Sequence, residues 1–279
     1  MIELGVGKNM VRSIRFWAEC AGFIEQSADG HVPSEIGTLL FVGTGINDDG
    51  EVDQPALDAF LEDVQTLWLL HWRLATNQNS LIFAWDFLLN RFVLPDLCTT
   101  SVCRALSEAP ECSSSSEGSR EQMWDVFLHS YVPTRGRKGE VREDNLDCPL
   151  VELGLLVPTG SAQISEKTGR AEPKYAFRRD EKNEISNELF AFCLSEFWNN
   201  HHSDEQSIPI HLISNGHGSP GQVFKISEMH ILNRLFSIRE SSGGYFTFEE
   251  SASIPRVVRH TEAESPALEK IYGEELAHV

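Results

Sequence analysis

The sequence is short of cations: 23 Lys and Arg stand against 42 Asp and Glu, a formal net charge of −19 at pH 7. A polyanion of this strength repels nucleic acid in bulk, because non-specific affinity for phosphate backbones rests on cations. A DNA role therefore requires the few cations to be gathered on one surface, or a basic partner to supply more. Paired cysteines are also lacking. Cys20, Cys98, Cys103, Cys112, Cys148 and Cys193 are scattered, without a CxxC pair or a framework spacing, and read as reduced cytosolic thiols rather than disulfides or zinc ligands. No apolar run is long enough to span a membrane, since the stretch around Leu67–Leu70 is broken by His71 and Arg73. There is no Walker A pattern. The Gly5–Gly7 pair has no strand before it and no third glycine, so it is not a dinucleotide fingerprint. What is left is a cytoplasmic globular chain of 279 residues, 41% hydrophobic, enough for two or three small domains.

The most informative stretch is the first. Met10, Val11, Ile14, Trp17, Ala18 and Ala21 recur at helical spacing on one face, and Lys8, Arg12, Arg15 and Glu19 on another. Gly22 ends the period. Phe23–Gln26, a turn at Asp29–Gly30 and a returning strand over His31–Gly37 complete a helix-then-hairpin order, the sequence pattern of a winged helix. Such a helix docks by its apolar side and presents cations outward, so Lys8, Asn9, Arg12 and Arg15 are candidates to enter a DNA groove. An ordinary amphipathic helix with a solvated basic face is the competing reading.

Further along, the apolar period predicts helices over Ala56–Thr76, Ser80–Phe92, Thr99–Ala109 and Glu121–Val132, with Trp68, Trp72 and Trp85 as core. Arg135, Arg137, Lys138 and Arg142 crowd a glycine-flanked loop. Flexible backbone and clustered cations suit phosphate contact, and a solvated loop is an equal alternative. A short helix into a strand is expected over Asp147–Val157, a strand over Lys174–Arg179 and a helix over Ile185–Trp198. A strand over Ile208–Ile213, a Ser227-capped helix to Ile238 and a hairpin through Tyr245–Phe248 and Ile254–Val258 repeat the helix-plus-hairpin order. His201 and His202 have metal-ligating side chains but no chelating spacing. Asp180-Glu181-Lys182 has the D-x-K pattern of metal-dependent nucleases, with Asp147 as a further acid, yet the pattern is frequent in so charged a chain.

Three stretches together carry a resemblance. Leu4-Gly-Val-Gly-Lys-Asn-Met-Val-Arg-Ser-Ile-Arg-Phe-Trp17, Asp147-Cys-Pro-Leu-Val-Glu-Leu-Gly154 and Ser219-Pro-Gly-Gln-Val-Phe-Lys225, supported by Glu62–Trp72, resemble the SspB-like proteins of bacterial DNA phosphorothioation (Ssp) gene clusters, a domain-of-unknown-function family. The resemblance runs from about Leu4 to Arg259. It implies a DNA-binding protein of antiphage (antiviral) defence that nicks one strand for sulfur insertion, with Mg²⁺ or Mn²⁺ as the metal of such a nickase. It further implies a cysteine desulfurase, an ATPase and a sulfur-transfer enzyme as partners, and Lys225 as a further DNA contact. Family members carry a His-Glu-Thr-Phe stretch upstream of the first motif, which this sequence does not contain. The alternative is a non-catalytic winged-helix adaptor that docks the modifying enzymes.

The expected fold is α+β and mainly helical, with winged-helix-like units around a helical middle. The expected domains are 1–46, 47–207 and 208–279, the last ending in an acidic tail.

Overall fold

The structure, a computed structural model, describes residues 7–28, 30–46, 52–76, 82–134, 148–165, 167–250 and 253–273. It is α+β and mainly helical, its strands gathered in small antiparallel sheets. The chain opens with α1 (Lys8–Cys20) and the hairpin of β1 (Ile24–Ser27) and β2 (Gly30–Pro33), in which Ile24 faces Pro33. The returning strand stops at Pro33 rather than running to Gly37. Ser34 accepts the Gly37 N–H at 3.1 Å and so caps α2 (Glu35–Phe41). The short pair β3 (Thr44–Ile46) and β4 (Val52–Gln54) follows.

The next helix, α3 (Val64–Thr76), starts well inside the stretch that the apolar period assigns to it. Leu61 sits at φ 60°, and both carboxylate oxygens of Asp58 accept backbone N–H groups, from Glu62 at 2.9 Å and Asp63 at 3.1 Å. These side-chain bonds hold a turn where the periodicity alone reads helix.

The second of the molecule's two units comprises residues 83–181. It holds α4 (Phe83–Asp86), which runs into a π-helical turn over Phe87–Arg91, then α5 (Thr99–Glu108), α6 (Glu117–Tyr131), a 3₁₀ turn over Pro149–Leu153, and the hairpin of β5 (Leu156–Ile164) and β6 (Ala171–Phe177). Trp85, Trp124, Phe127 and Tyr131 form its buried aromatic centre, and the Trp85 indole N–H donates to the Tyr131 hydroxyl at 2.9 Å. The strand expected to end at Val157 continues to Ile164 as β5.

Residues 1–82 and 182–279 make the other unit. Its second half runs α7 (Asn187–His201), β7 (Ser207–Pro209), α8 (Ile210–Asn215), α9 (Pro220–Phe224), α10 (Glu228–Leu235), α11 (Ile238–Ser241), β8 (Phe246–Glu249) and β9 (Arg256–Arg259). The strand order is β7–β9–β8, antiparallel throughout. The strand expected over Ile208–Ile213 ends at Pro209. Ile210 and Ile213, three apart, are both buried as helical neighbours, so the same apolar run satisfies a helix once tertiary packing chooses it.

The units divide at 82/83 and 181/182. The reason is aromatic packing across the sequence: Trp68 and Trp72 of α3 lie 5.8 and 5.4 Å from Phe224 of α9, centroid to centroid. Thr66 also bonds Tyr272 at 2.8 Å, hydroxyl to hydroxyl. α3 thus belongs to one core with the C-terminal elements.

Candidate nucleic-acid interface

α1 is anchored at one end. Of its residues only Cys20 is buried, and Ala21 and Phe23 continue that plug. Phe23 meets Phe41 edge to face at 5.1 Å. The Ser34 hydroxyl donates to the Gly22 carbonyl at 2.7 Å, and the Ser34 N–H to the Phe23 carbonyl at 2.9 Å. α2 comes so close that a Cβ on Gly37 would lie 1.9 Å from the Phe23 carbonyl oxygen, which is why glycine stands there.

Arg73 fixes the same end from α3. Its Nε–H donates to the Ala21 carbonyl at 3.3 Å, and its Nη1 pairs with Glu196 of α7 at 2.7 Å. The other Glu196 oxygen accepts the Trp72 indole N–H at 2.6 Å. A cation at a helix C-terminus also complements the helix dipole.

Much of the rest of α1 is exposed, while Val11, Phe16, Trp17, Ala18 and Glu19 are half-buried. Lys8, Asn9, Arg12 and Arg15 are all exposed, and the three cations, at i, i+4 and i+7, share one face. The first turn carries no acid, and Glu19, the helix's one carboxylate, is paired with His31 of β2. The apolar face expected to dock is only partly covered: Met10 and Ile14 are 52% and 53% exposed. α1 therefore presents a basic face and two largely uncovered apolar side chains, with its buried anchor at the C-terminal end.

Lys225 does not belong to this surface. It is only 2% exposed and takes a left-handed conformation (φ 58°) as the C-cap of α9, its Nζ donating to Gln222 at 3.5 Å. The stretch around it is architectural. Ser219 caps α9 through the Gln222 N–H, Pro220 is its first residue, and Val223 and Phe224 are fully buried. A Cβ on Gly221 would lie 2.2 Å from the Ser214 carbonyl oxygen. The Val223 carbonyl accepts the Nε2–H of His71 at 2.9 Å. Burial pushes the His71 imidazole down to about 4, the hydrogen bond to Val223 opposes that, and the Lys225 and Lys182 ammonium charges lower it further. Neutral His71 is thus a structural donor, legible in the sequence only as a break in an apolar run.

Lys182 is 1% exposed at φ 54°, its carbonyl accepts from Arg234 at 2.6 Å, and Asp180 pairs with Arg178 at 3.1 Å. Among the described residues no three His, Cys, Asp or Glu side chains are grouped to hold a metal ion. His201 lies 6.2 Å from His217 ring to ring, while His202 bonds Glu205 at 2.9 Å. Asp147 and the loop cations Arg135, Arg137, Lys138 and Arg142 lie outside the described residues. No helix among the described residues is long and apolar enough to cross a membrane.

Residues 1–272 match the family described as "Protein of unknown function (DUF4007)". No curated protein matches the chain. Two solved structures share its fold: a magnesium ion-bound SspB crystal structure, with a TM-score of 0.73, and an SspB crystal structure, with 0.72. Each is 22% identical, and each similarity covers 92% of this chain and 73% of the other.

Proposed function

The chain belongs to the DUF4007 family, and on that premise we propose that it is the DNA-binding component of a bacterial DNA phosphorothioation system, with α1 as its phosphate contact. The observation that carries the reading is the segregation of Lys8, Arg12 and Arg15 on an exposed helix whose only acid is paired elsewhere, in a chain of net charge −19. The fold shared with SspB and the sequence resemblance supply the system. The connectivity helix–strand–helices–hairpin from α7 to β9, with strand order β7–β9–β8, supports a winged-helix reading of that part. Desulfurase, ATPase and sulfur-transfer partners in the cytoplasm follow from the same reading.

Three phosphate contacts give a slope of log affinity on log salt of about −2.7, or about a forty-fold loss between 50 and 200 mM salt. Titration of duplex DNA at several salt concentrations is expected to show a slope of that size. The Arg12→Glu/Arg15→Glu variant should lose most of it while keeping its thermal midpoint. Equal slopes in both proteins would remove α1 from the interface.

Strand nicking is the finer part of the reading, and it rests on the resemblance. Conversion of supercoiled plasmid to open circle with Mg²⁺ or Mn²⁺ would support a nickase. Binding without conversion would leave the adaptor, a docking platform for the modifying enzymes.

A further inference from the structure

α10 is the helix that a DNA-reading winged helix would lay in the major groove, and here it is chemically unsuited to phosphates. Its only Lys or Arg, Arg234, is turned inward: the guanidinium donates to the carbonyls of Ile185 at 2.9 Å and Lys182 at 2.6 Å and to Asn187 at 3.1 Å, and it lies 5.7 Å from the centre of the Phe190 ring. The outward stripe is Met229, half-buried Leu232, Asn233 and Phe236, spaced i, i+3, i+4 and i+7. Met229 is 70% exposed and Phe236 59%. Phe236 meets Phe248 of β8 edge to face at 5.6 Å, which extends the stripe onto the sheet. Isolated exposed apolar residues mean little, but an aligned set on one helix and its neighbouring strand marks a contact surface. Next to these residues in sequence, carboxylates outnumber cations: Glu228, which accepts from Asn215 at 3.5 Å, Glu240 and Glu250 are exposed, Glu249 is engaged by Arg256 at 2.7 Å, and Arg239 is the remaining exposed cation.

We propose that the face formed by Met229, Leu232, Phe236 and Phe248 is a protein-docking surface for a segment of a partner protein that carries apolar side chains flanked by lysine or arginine. The acidic rim selects the occupant. A second copy of this chain would bring Glu228 and Glu250 against the same carboxylates in a chain already at −19, and DNA would bring phosphates against them. A basic amphipathic segment meets both the apolar stripe and its rim. The inference does not depend on α1 binding DNA, so the protein would hold nucleic acid and its partner through different helices.

The test uses the full chain and a labelled helical peptide of about 15 residues, with leucines at i, i+3, i+4 and i+7 and lysines elsewhere. Two control peptides replace the lysines by glutamates or the leucines by serines. By fluorescence anisotropy, wild type is expected to prefer the leucine–lysine peptide over either control by ten-fold or more. Met229→Glu/Phe236→Glu should weaken that peptide's binding by a similar factor. The sign is decisive, because two added carboxylates strengthen mere attraction to a polyanion and weaken apolar docking. Met229→Ser/Phe236→Asn provides the same comparison should the glutamate pair lower the thermal midpoint. Unchanged or tighter binding by the variants overturns the proposal. So does a concentration-dependent wild-type dimer that the variants abolish, which would name a second copy as the occupant. Loss of duplex DNA binding in the same variants would assign the face to nucleic acid and overturn it equally.

Discussion

His71 makes stability depend on pH in a way that can be worked out in advance. The side chain is fully buried, and its imidazole is pushed from 6.5 down to about 4, first by burial and then by the charges of Lys225 and Lys182. The native state therefore holds it neutral while the unfolded chain takes up a proton below about pH 6.5. In the window between 6.5 and 4 the unfolded state binds more protons, so stability is fully present above 6.5 and falls as the pH drops. The full difference corresponds to about 3 kcal/mol, of which about 2 kcal/mol is lost by pH 5. Carboxylates titrate over part of this range, so the perturbation must isolate the histidine. In His71→Gln the amide N–H can still reach the Val223 carbonyl and does not titrate. Urea unfolding of both proteins at pH 7.5 and pH 5.0 yields the difference directly. The advantage of wild type over the variant should shrink by about 2 kcal/mol at the lower pH. An advantage that stays constant would refute the argument, since it would mean that His71 is protonated alike in the folded and unfolded chains.

Other perturbations test the anchoring of α1. Gly37→Ala forces a methyl group against the Phe23 carbonyl at 1.9 Å, and because backbone must move, a loss of about 3 kcal/mol is expected in the same urea assay. Glu196→Gln keeps an acceptor for the Trp72 indole but removes the charge facing Arg73. It should cost about 1–2 kcal/mol, with faster hydrogen exchange at the C-terminal turn of α1. Removing the rim charge by Glu250→Gln, at an exposed position, should change stability by less than about 0.5 kcal/mol, as judged by the thermal midpoint.

Much of the helical content was legible because it follows from period and capping, which are local. α5, α6, α7 and α10 lie within a few residues of the expected stretches, and Ser227 caps α10 through the His230 N–H as its residue type suggests. The misreadings occur where two local rules compete. Ala56–Asp63 has a helical period, but Asp58 folds its carboxylate over the backbone and the turn wins. Ile208–Ile213 suits a strand and a helix alike, and packing divides it at Pro209.

The exposed basic face of α1 was legible for the same reason. Exposure of Lys8, Arg12 and Arg15 follows from three cations at helical spacing, since burying them unpaired would be too expensive. Lys225 shows the limit of that rule: in sequence it is another cation beside a glycine-bearing motif, and in the fold it is a buried cap one residue from Phe224.

By itself the sequence determined the period of most helices, their caps, the basic face of α1 and the absence of a spanning helix among the described residues, all of which depend on neighbours within a few positions. Only the tertiary structure decided which faces are covered. It joined α3 to α7 and α9 through Glu196 and Phe224, turned Arg234 and Lys225 inward, and left Met229 and Phe236 outside. Burial is a property of what a distant part of the chain brings to the same place, and no local spacing encodes that.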